Sequence, residues 1–231
     1  MNKKRKSIII FGDGEIAKLA FFFFQNYSEY SIAGFVTDKE HNKNEIFLNL
    51  PIINIEDVVK MFPPCSYQAF IAISYNKQNS LREEKFLKFK SLDYNLTSFI
   101  HPSATIAKNV EIGENCMLLE NQVIQPYVKI KDNVVIWSGC HIGHGTTIDV
   151  HCWLTSHVVI SGNVYIGKRS FLGVNSCIRD NINIGSDVMI GMGANVTKSI
   201  ESGNVIISNN SVNFKKGSKQ AEFIKKKYFN L

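Results

Sequence analysis

No stretch of this 231-residue sequence is apolar for long: residues 20–24 (AFFFF) make a run of five, against the roughly 20 that a membrane-spanning helix needs. The basic start leads into residues 7–11 (SIIIF), too short for the apolar centre of a secretory leader. The five cysteines include no C-x-x-C pair, which argues against a metal knuckle or a redox dithiol. Charge of one sign is missing from the body of the chain. The net charge is +6, but Lys3, Lys4, Arg5 and Lys6 at one end and Lys215, Lys216, Lys219, Lys225, Lys226 and Lys227 at the other hold more than that excess. The body is net acidic, and the aromatic spacing of an RNA-binding sheet is absent, so no nucleic-acid partner is expected. Basic ends of this kind solubilise a chain or touch anionic surfaces. These features together predict a cytoplasmic protein without stable membrane insertion.

What the chain does contain is a repeat of six. An aliphatic residue stands at every sixth position from Ile106 to Val196, sixteen of sixteen. Two residues before each stands a small or β-branched residue, such as Ala104, Val110, Cys116, Val128, Cys140, Thr146, Cys152, Ser170 and Ser176; Gln122 alone departs. Neither the 3.6 period of a helix nor the 2 period of an open strand produces a strict six. A repeat that cannot bury its apolar side alone must stack on its neighbours. The hexads therefore predict a β-helical solenoid with three hexads per coil, about five coils, and a height of roughly 25 Å at the usual strand spacing. Residues 18 apart then lie over one another: Phe171 over Trp153, Gly162 over His144, Asn175 over His157. Three of the cysteines fall on the small position, where a free thiol behaves as a small hydrophobe.

The first hundred residues lack this register. A buried-strand run at residues 7–11 is followed by Gly12-Asp13-Gly14 and a helical stretch from Glu15 to about Tyr27. Strands are expected at residues 31–36 and 68–73, with a charged helix over about residues 81–92. Strand, glycine turn and helix open a parallel α/β unit of about three strands. The pattern Gly12-x-Gly14-x-x-Ala17 is an incomplete dinucleotide fingerprint. It fits one mononucleotide or a nucleotide-linked sugar, with phosphate or ribose at the helix N-terminus and Asp38 on a hydroxyl or base; a tight turn without ligand is the alternative. The boundaries expected are 1–100 for an α/β half domain, 101–210 for the solenoid and 211–231 for a basic tail, in which Phe223, Ile224, Tyr228 and Phe229 stand among lysines.

Four of the six histidines, His141, His144, His151 and His157, lie within 17 residues. None occupies the aliphatic or the small position, so all four are expected to project outward. An exposed prism face becomes a pocket when a second subunit covers it, and flat-faced solenoids suit closed three-fold packing.

The hexads, for example Asn109-Val110-Glu111-Ile112-Gly113 and Asn163-Val164-Tyr165-Ile166-Gly167, resemble those of hexapeptide-repeat acyltransferases with a left-handed β-helix. With Ile8-Ile9-Ile10-Phe11-Gly12-Asp13-Gly14 in front and Ile100-His101-Pro102-Ser103-Ala104 at the junction, the chain over about residues 7–210 is similar to one subgroup. Its members are sugar acetyltransferases with an N-terminal nucleotide-sugar-binding domain, acting with acetyl-CoA on nucleotide-linked 4-amino sugars or on a sialic acid hydroxyl. The resemblance implies a Rossmann-like half domain followed by a left-handed parallel β-helix, a homotrimer, acetyl-CoA as co-substrate and no metal. It matches the family's base histidine to His144 and gives the Gly162 N–H the thioester carbonyl. It matches the nucleotide contacts to Gly12, Asp13, Gly14 and Asp38; Tyr75, Asn76 and Arg82 follow the third strand and are candidates for a diphosphate, Arg82 being otherwise a surface helix residue. Gly173 and Gly191 are candidates for backbone contact with pantetheine. Two departures stand out: the acidic residue common after the base is Gly145, which leaves open what orients His144, and a second histidine nine residues on is Trp153. Ser156-His157 is the local substitute, while Trp153 shapes the acyl end or packs on Phe171.

The expectation is an acetyl-CoA-dependent N-acetyltransferase acting on a nucleotide-linked 4-amino-4,6-dideoxy sugar in surface-glycan synthesis such as that of O-antigen. The alternatives are O-acetylation of a sugar hydroxyl of the sialic acid type, a zinc lyase of carbonic-anhydrase type with histidines from adjoining subunits, and a non-catalytic assembly solenoid. The nucleotide base, the sugar and the acyl length are not legible in the sequence.

Overall fold

The computed structural model describes residues 6–40, 45–209 and 213–229; residues 3–5 of the basic N-terminal stretch lie outside them. The chain first builds β1 (Lys6–Phe11), α1 (Glu15–Tyr27), β2 (Tyr30–Thr37), β3 (Ile46–Phe47), β4 (Leu50–Asn54), α2 (Val58–Met61), β5 (Gln68–Ile71) and α3 (Ser80–Ser91). The sheet order is β3-β4-β2-β1-β5, parallel except for β3 against β4. It therefore has five strands where three were expected. The missed strand β4 carries Pro51, which cannot donate to a ladder and hides a strand from pattern reading. β1 is central and fully apolar because helices cover both its faces: Ile8, Ile9 and Ile10 are completely buried.

From Phe99 onward the chain winds into a left-handed parallel β-helix of two-residue strands, as the period of six predicts. Its first face carries Val123–Ile124, His141–Ile142 and Val159–Ile160, its second Lys129–Ile130, Thr147–Ile148 and Tyr165–Ile166, and its third Met117–Leu118, Val135–Ile136, Trp153–Leu154 and Phe171–Leu172. Every pairing advances by 18 residues, including Trp153 with Phe171. The aliphatic and small positions converge in one core running from Cys116 to Val196, where each fully buried aliphatic side chain contributes roughly 1.5–3 kcal/mol. Gln122, the exception to the small series, is buried there and donates to the carbonyls of Leu119 and Trp137.

The corners turn through left-handed residues, which is why asparagine recurs at this hexad position. Asn115, Asn133, His151, Arg169 and Asp187, with φ between 52° and 63°, stack along the corner between the second and third faces. The α/β part docks there and on the third face. Phe23, Phe24 and Phe70 share a core with Phe99, Met117, Val135 and Trp153. α3 lies against the corner stack, so the two parts form one packed body. A last helix, α4 (Lys219–Phe229), carries exposed Phe223 and Ile224.

Candidate functional site

His144 stands exposed on the corner between the first and second faces. Glycine on each side is required by the close approach of the next coil. A Cβ on Gly143 would run into the backbone of Ser161 and Gly162, and Gly145 has φ +67° with the Asn163 side-chain amide filling the space where its Cβ would go. An acidic residue therefore has no room at 145, which explains that departure from the family pattern. Gly162 lies one coil on, as the 18-residue register requires, and a Cβ there would stand 2.5 Å from Cε1 and 2.8 Å from Nε2 of the imidazole. The ring thus rests over bare backbone. Gln125, from the preceding coil, points its Oε1 at this residue, 3.0 Å from the backbone nitrogen and 3.4 Å from Nδ1. That contact was not read from the sequence, although a polar residue 19 positions before the histidine, in a register of 18, was the signal for it.

The other histidines do not gather around His144. His157 is exposed on the corner between the third and first faces, its ring over Gly139, where a Cβ would stand 2.5 Å away. Within one chain it lies across the full width of the first face from His144. His141 lies between them, half-buried on that face between Val123 and Val159. His151 corrects the expectation of an outward, solvated ring. It is 4% exposed, covered by α3, with Nδ1 2.8 Å from the Asn133 amide and Nε2 3.7 Å from Glu83. Burial pushes it down to about 4, with Glu83 opposing. The register told which way the ring leaves the coil; it did not tell which corner α3 covers. Among the described residues no group of three or more His, Cys, Asp or Glu is placed to hold a metal ion.

Arg82 overturns both readings made of it, since it is neither a surface residue nor available to a diphosphate. It is 1% exposed. It donates through Nη1 to the carbonyls of Ile71 and Ile73 and through Nη2 to Asn133 Oδ1 at 2.6 Å, with its guanidinium 5.5 Å from the Trp153 ring centroid. Desolvation lowers it to about 10. Trp153 itself is buried at this junction beside Tyr75, Trp137 and Phe171, on the face opposite the His144 corner. Glu83, next along α3, meets Lys168, Arg169 and His151; burial opposes its charge, but the bonds from Lys168 and Arg169 hold it below the usual carboxylate range.

The α/β part presents a mouth at the C-terminal ends of β1, β2 and β5, where open sheets of this kind take ligands. Gly12 has φ +124°, and its backbone passes so near Ala72 that a Cβ would lie 2.6 Å from that carbonyl oxygen. Gly14 is the N-cap of α1 with open space beside it, and Asp13 is exposed. Asp38 accepts from Lys85 at 2.8 Å. Burial disfavours the Lys85 charge, but the bonds to Asp38 and Glu84 prevail and raise it. Tyr75 lies over Trp153 and Phe171, and Asn76 is exposed. Gly173 and Gly191 stack on the corner that holds His157, and the backbone of residues 190–192 leaves no space for a Cβ on Gly173. This mouth lies toward the third face and His144 on the corner away from it, so one chain carries two half-sites on opposite sides.

No protein-family model matches the sequence, and no curated protein matches it either. Solved structures do. The acetyltransferase domain of PglB from Neisseria gonorrhoeae FA1090 is similar at a TM-score of 0.77 and 21% identity, over 90% of this chain and 100% of that one. PerB from Caulobacter crescentus, solved in complex with CoA and GDP-perosamine, is similar at 0.78 and 24%, over 87% and 94%. WeeI from Acinetobacter baumannii AYE is similar at 0.57 and 21%, over 87% and 96%. At these identities the likeness establishes the fold: an α/β half domain joined to a left-handed β-helix, shared over nearly the whole length of each chain.

Proposed function

We propose that this protein is an acetyl-CoA-dependent N-acetyltransferase acting on a nucleotide-linked 4-amino-4,6-dideoxy sugar in surface-glycan synthesis, working as a homotrimer in the cytoplasm. The observation that carries the reading is the His144–Gly162 stack, an exposed imidazole resting over an unsubstituted backbone on a rigid coil. A sugar ammonium must lose a proton before its nitrogen attacks a thioester, and a neutral imidazole suits that task near pH 7. As the C–N bond forms, the carbonyl oxygen gains negative charge, which the Gly162 N–H is placed to receive without reorganisation. Collapse breaks the C–S bond, and the imidazolium returns its proton to the CoA thiolate. PerB, of the same fold, is solved with CoA and GDP-perosamine, which supports an acyl donor and a nucleotide-linked amino sugar as the two ligands here.

In this reading Gly12, Asp13, Gly14 and Asp38 receive the nucleotide, with Tyr75 and Asn76 at its edge. Gly173 and Gly191 face pantetheine. The placement of mouth and base on opposite sides of one chain favours an active site completed between subunits. The first face, with exposed Val123 and Val159 beside His141, is the surface we assign to that contact, and across it His157 of a neighbouring copy is the candidate second histidine. The test is release of free thiol from acetyl-CoA with a panel of nucleotide 4-amino-dideoxy sugars, and trimer mass by light scattering; a monomer with full activity would sink the intersubunit site.

A further inference from the structure

We propose that Gln125 is the positioning residue that sets the tautomer of His144, the part that an adjacent carboxylate would otherwise take; this rests on His144 being the base. The assignment follows from what the atoms can do. A backbone N–H only donates, so the Gln125 side-chain atom 3.0 Å from the His144 nitrogen is the carbonyl oxygen and not the amide nitrogen. The same oxygen faces Nδ1 at 3.4 Å. An amide oxygen has two lone pairs and no proton, so Nδ1 must carry the hydrogen for this contact to be favourable. Nε2 is then left with its lone pair, over Gly162, as a general base requires.

The fold holds Gln125 for this. Its backbone N–H donates to Ile142 at 3.0 Å, which seats it one coil from the His144 corner. Gly143, above it in register, carries no side chain to block the amide. The second contact, to the His144 backbone, fixes the amide's rotation, so the oxygen cannot exchange with the NH₂ without losing a hydrogen bond. A neutral acceptor orients the ring without adding negative charge beside it, in contrast to a carboxylate, which would also stabilise the imidazolium.

The test uses the full-length protein, histidine-labelled with ¹⁵N, and two variants. Gln125→Met keeps length and removes the acceptor; Gln125→Glu keeps the acceptor and adds charge. The wild type should show His144 mainly as the Nδ1–H form, and Gln125→Met should move population to Nε2–H. With acetyl-CoA and the accepted sugar, Gln125→Met should lower kcat about 10- to 100-fold with KM for acetyl-CoA within about twofold. Gln125→Glu should recover most of kcat, with the acidic limb of its pH profile moved upward by about one unit. A wild type mainly in the Nε2–H form overturns the assignment. So does a Gln125→Met variant whose tautomer is unchanged, whatever its rate, or whose tautomer moves while kcat does not. If His144→Ala keeps full turnover, the functional reading falls instead, and the spectrum still decides what Gln125 does to the ring.

Discussion

A methyl group at position 162 would stand 2.5 Å from His144 Cε1, and what gives way decides the outcome. The imidazole is exposed and can swing outward, so Gly162→Ala should change stability by no more than about 0.5 kcal/mol. Turnover should fall about 10- to 100-fold, because displacements near 1 Å at a reacting group are costly. Thermal melts beside steady-state kinetics check the split; loss of stability matching the loss of rate would contradict it. Arg82 is the residue the sequence hid most completely. Its spacing after β5 fits an anion ligand as well as a surface position, and no local pattern reveals that Asn133, 51 positions on, waits for its guanidinium. His144 was legible because its neighbours are glycines in a register of 18, and Gly162 followed from counting.

α3 is the element that joins the two parts, and its chemistry is testable apart from any activity. Arg82→Met leaves the carbonyls of Ile71 and Ile73 and the Asn133 side chain without their donor in a buried site. The expected cost is about 2–4 kcal/mol in urea unfolding. Arg82→Lys should recover little, since an ammonium does not span three acceptors as a fork does. A variant of normal stability with only weakened nucleotide binding would restore the phosphate role.

His151, under the same helix, gives the docking a pH dependence. Its folded value, about 4, lies below the ordinary 6.5, so between these the unfolded chain binds more protons. Stability should therefore be complete above about pH 6.5 and decline as pH falls toward 4, by on the order of 2 kcal/mol from this group. His151→Asn should flatten that part of the profile; an unchanged slope would assign it to other groups. The solenoid elements were fully legible, because a six-residue period has one structural solution. The edge of the α/β sheet was not, since β3 is two residues long and β4 carries a proline.

At the scale of the molecule, the three faces of the prism differ in a way the repeat does not announce. The third is covered by the α/β part. The second is dressed with ion pairs such as Lys129–Glu111 and Lys131–Asp149. The first offers Val123, His141 and Val159 without a cover. Val159→Asp should dissociate the proposed trimer in sedimentation while leaving the far-ultraviolet spectrum unchanged, and turnover should fall with assembly. A dissociated protein of undiminished activity would place the whole site within one chain.

The central claim is the chemistry at His144. Thiol release from acetyl-CoA should be followed with UDP-, dTDP- and GDP-linked 4-amino-dideoxy sugars and with sialic acid, for the wild type and for His144→Ala. The account predicts turnover on one nucleotide amino sugar and a loss of about 10²- to 10⁴-fold in the variant, with its fold intact. Turnover that survives in His144→Ala would remove the base, and activity confined to sialic acid would move the acceptor from an amine to a hydroxyl.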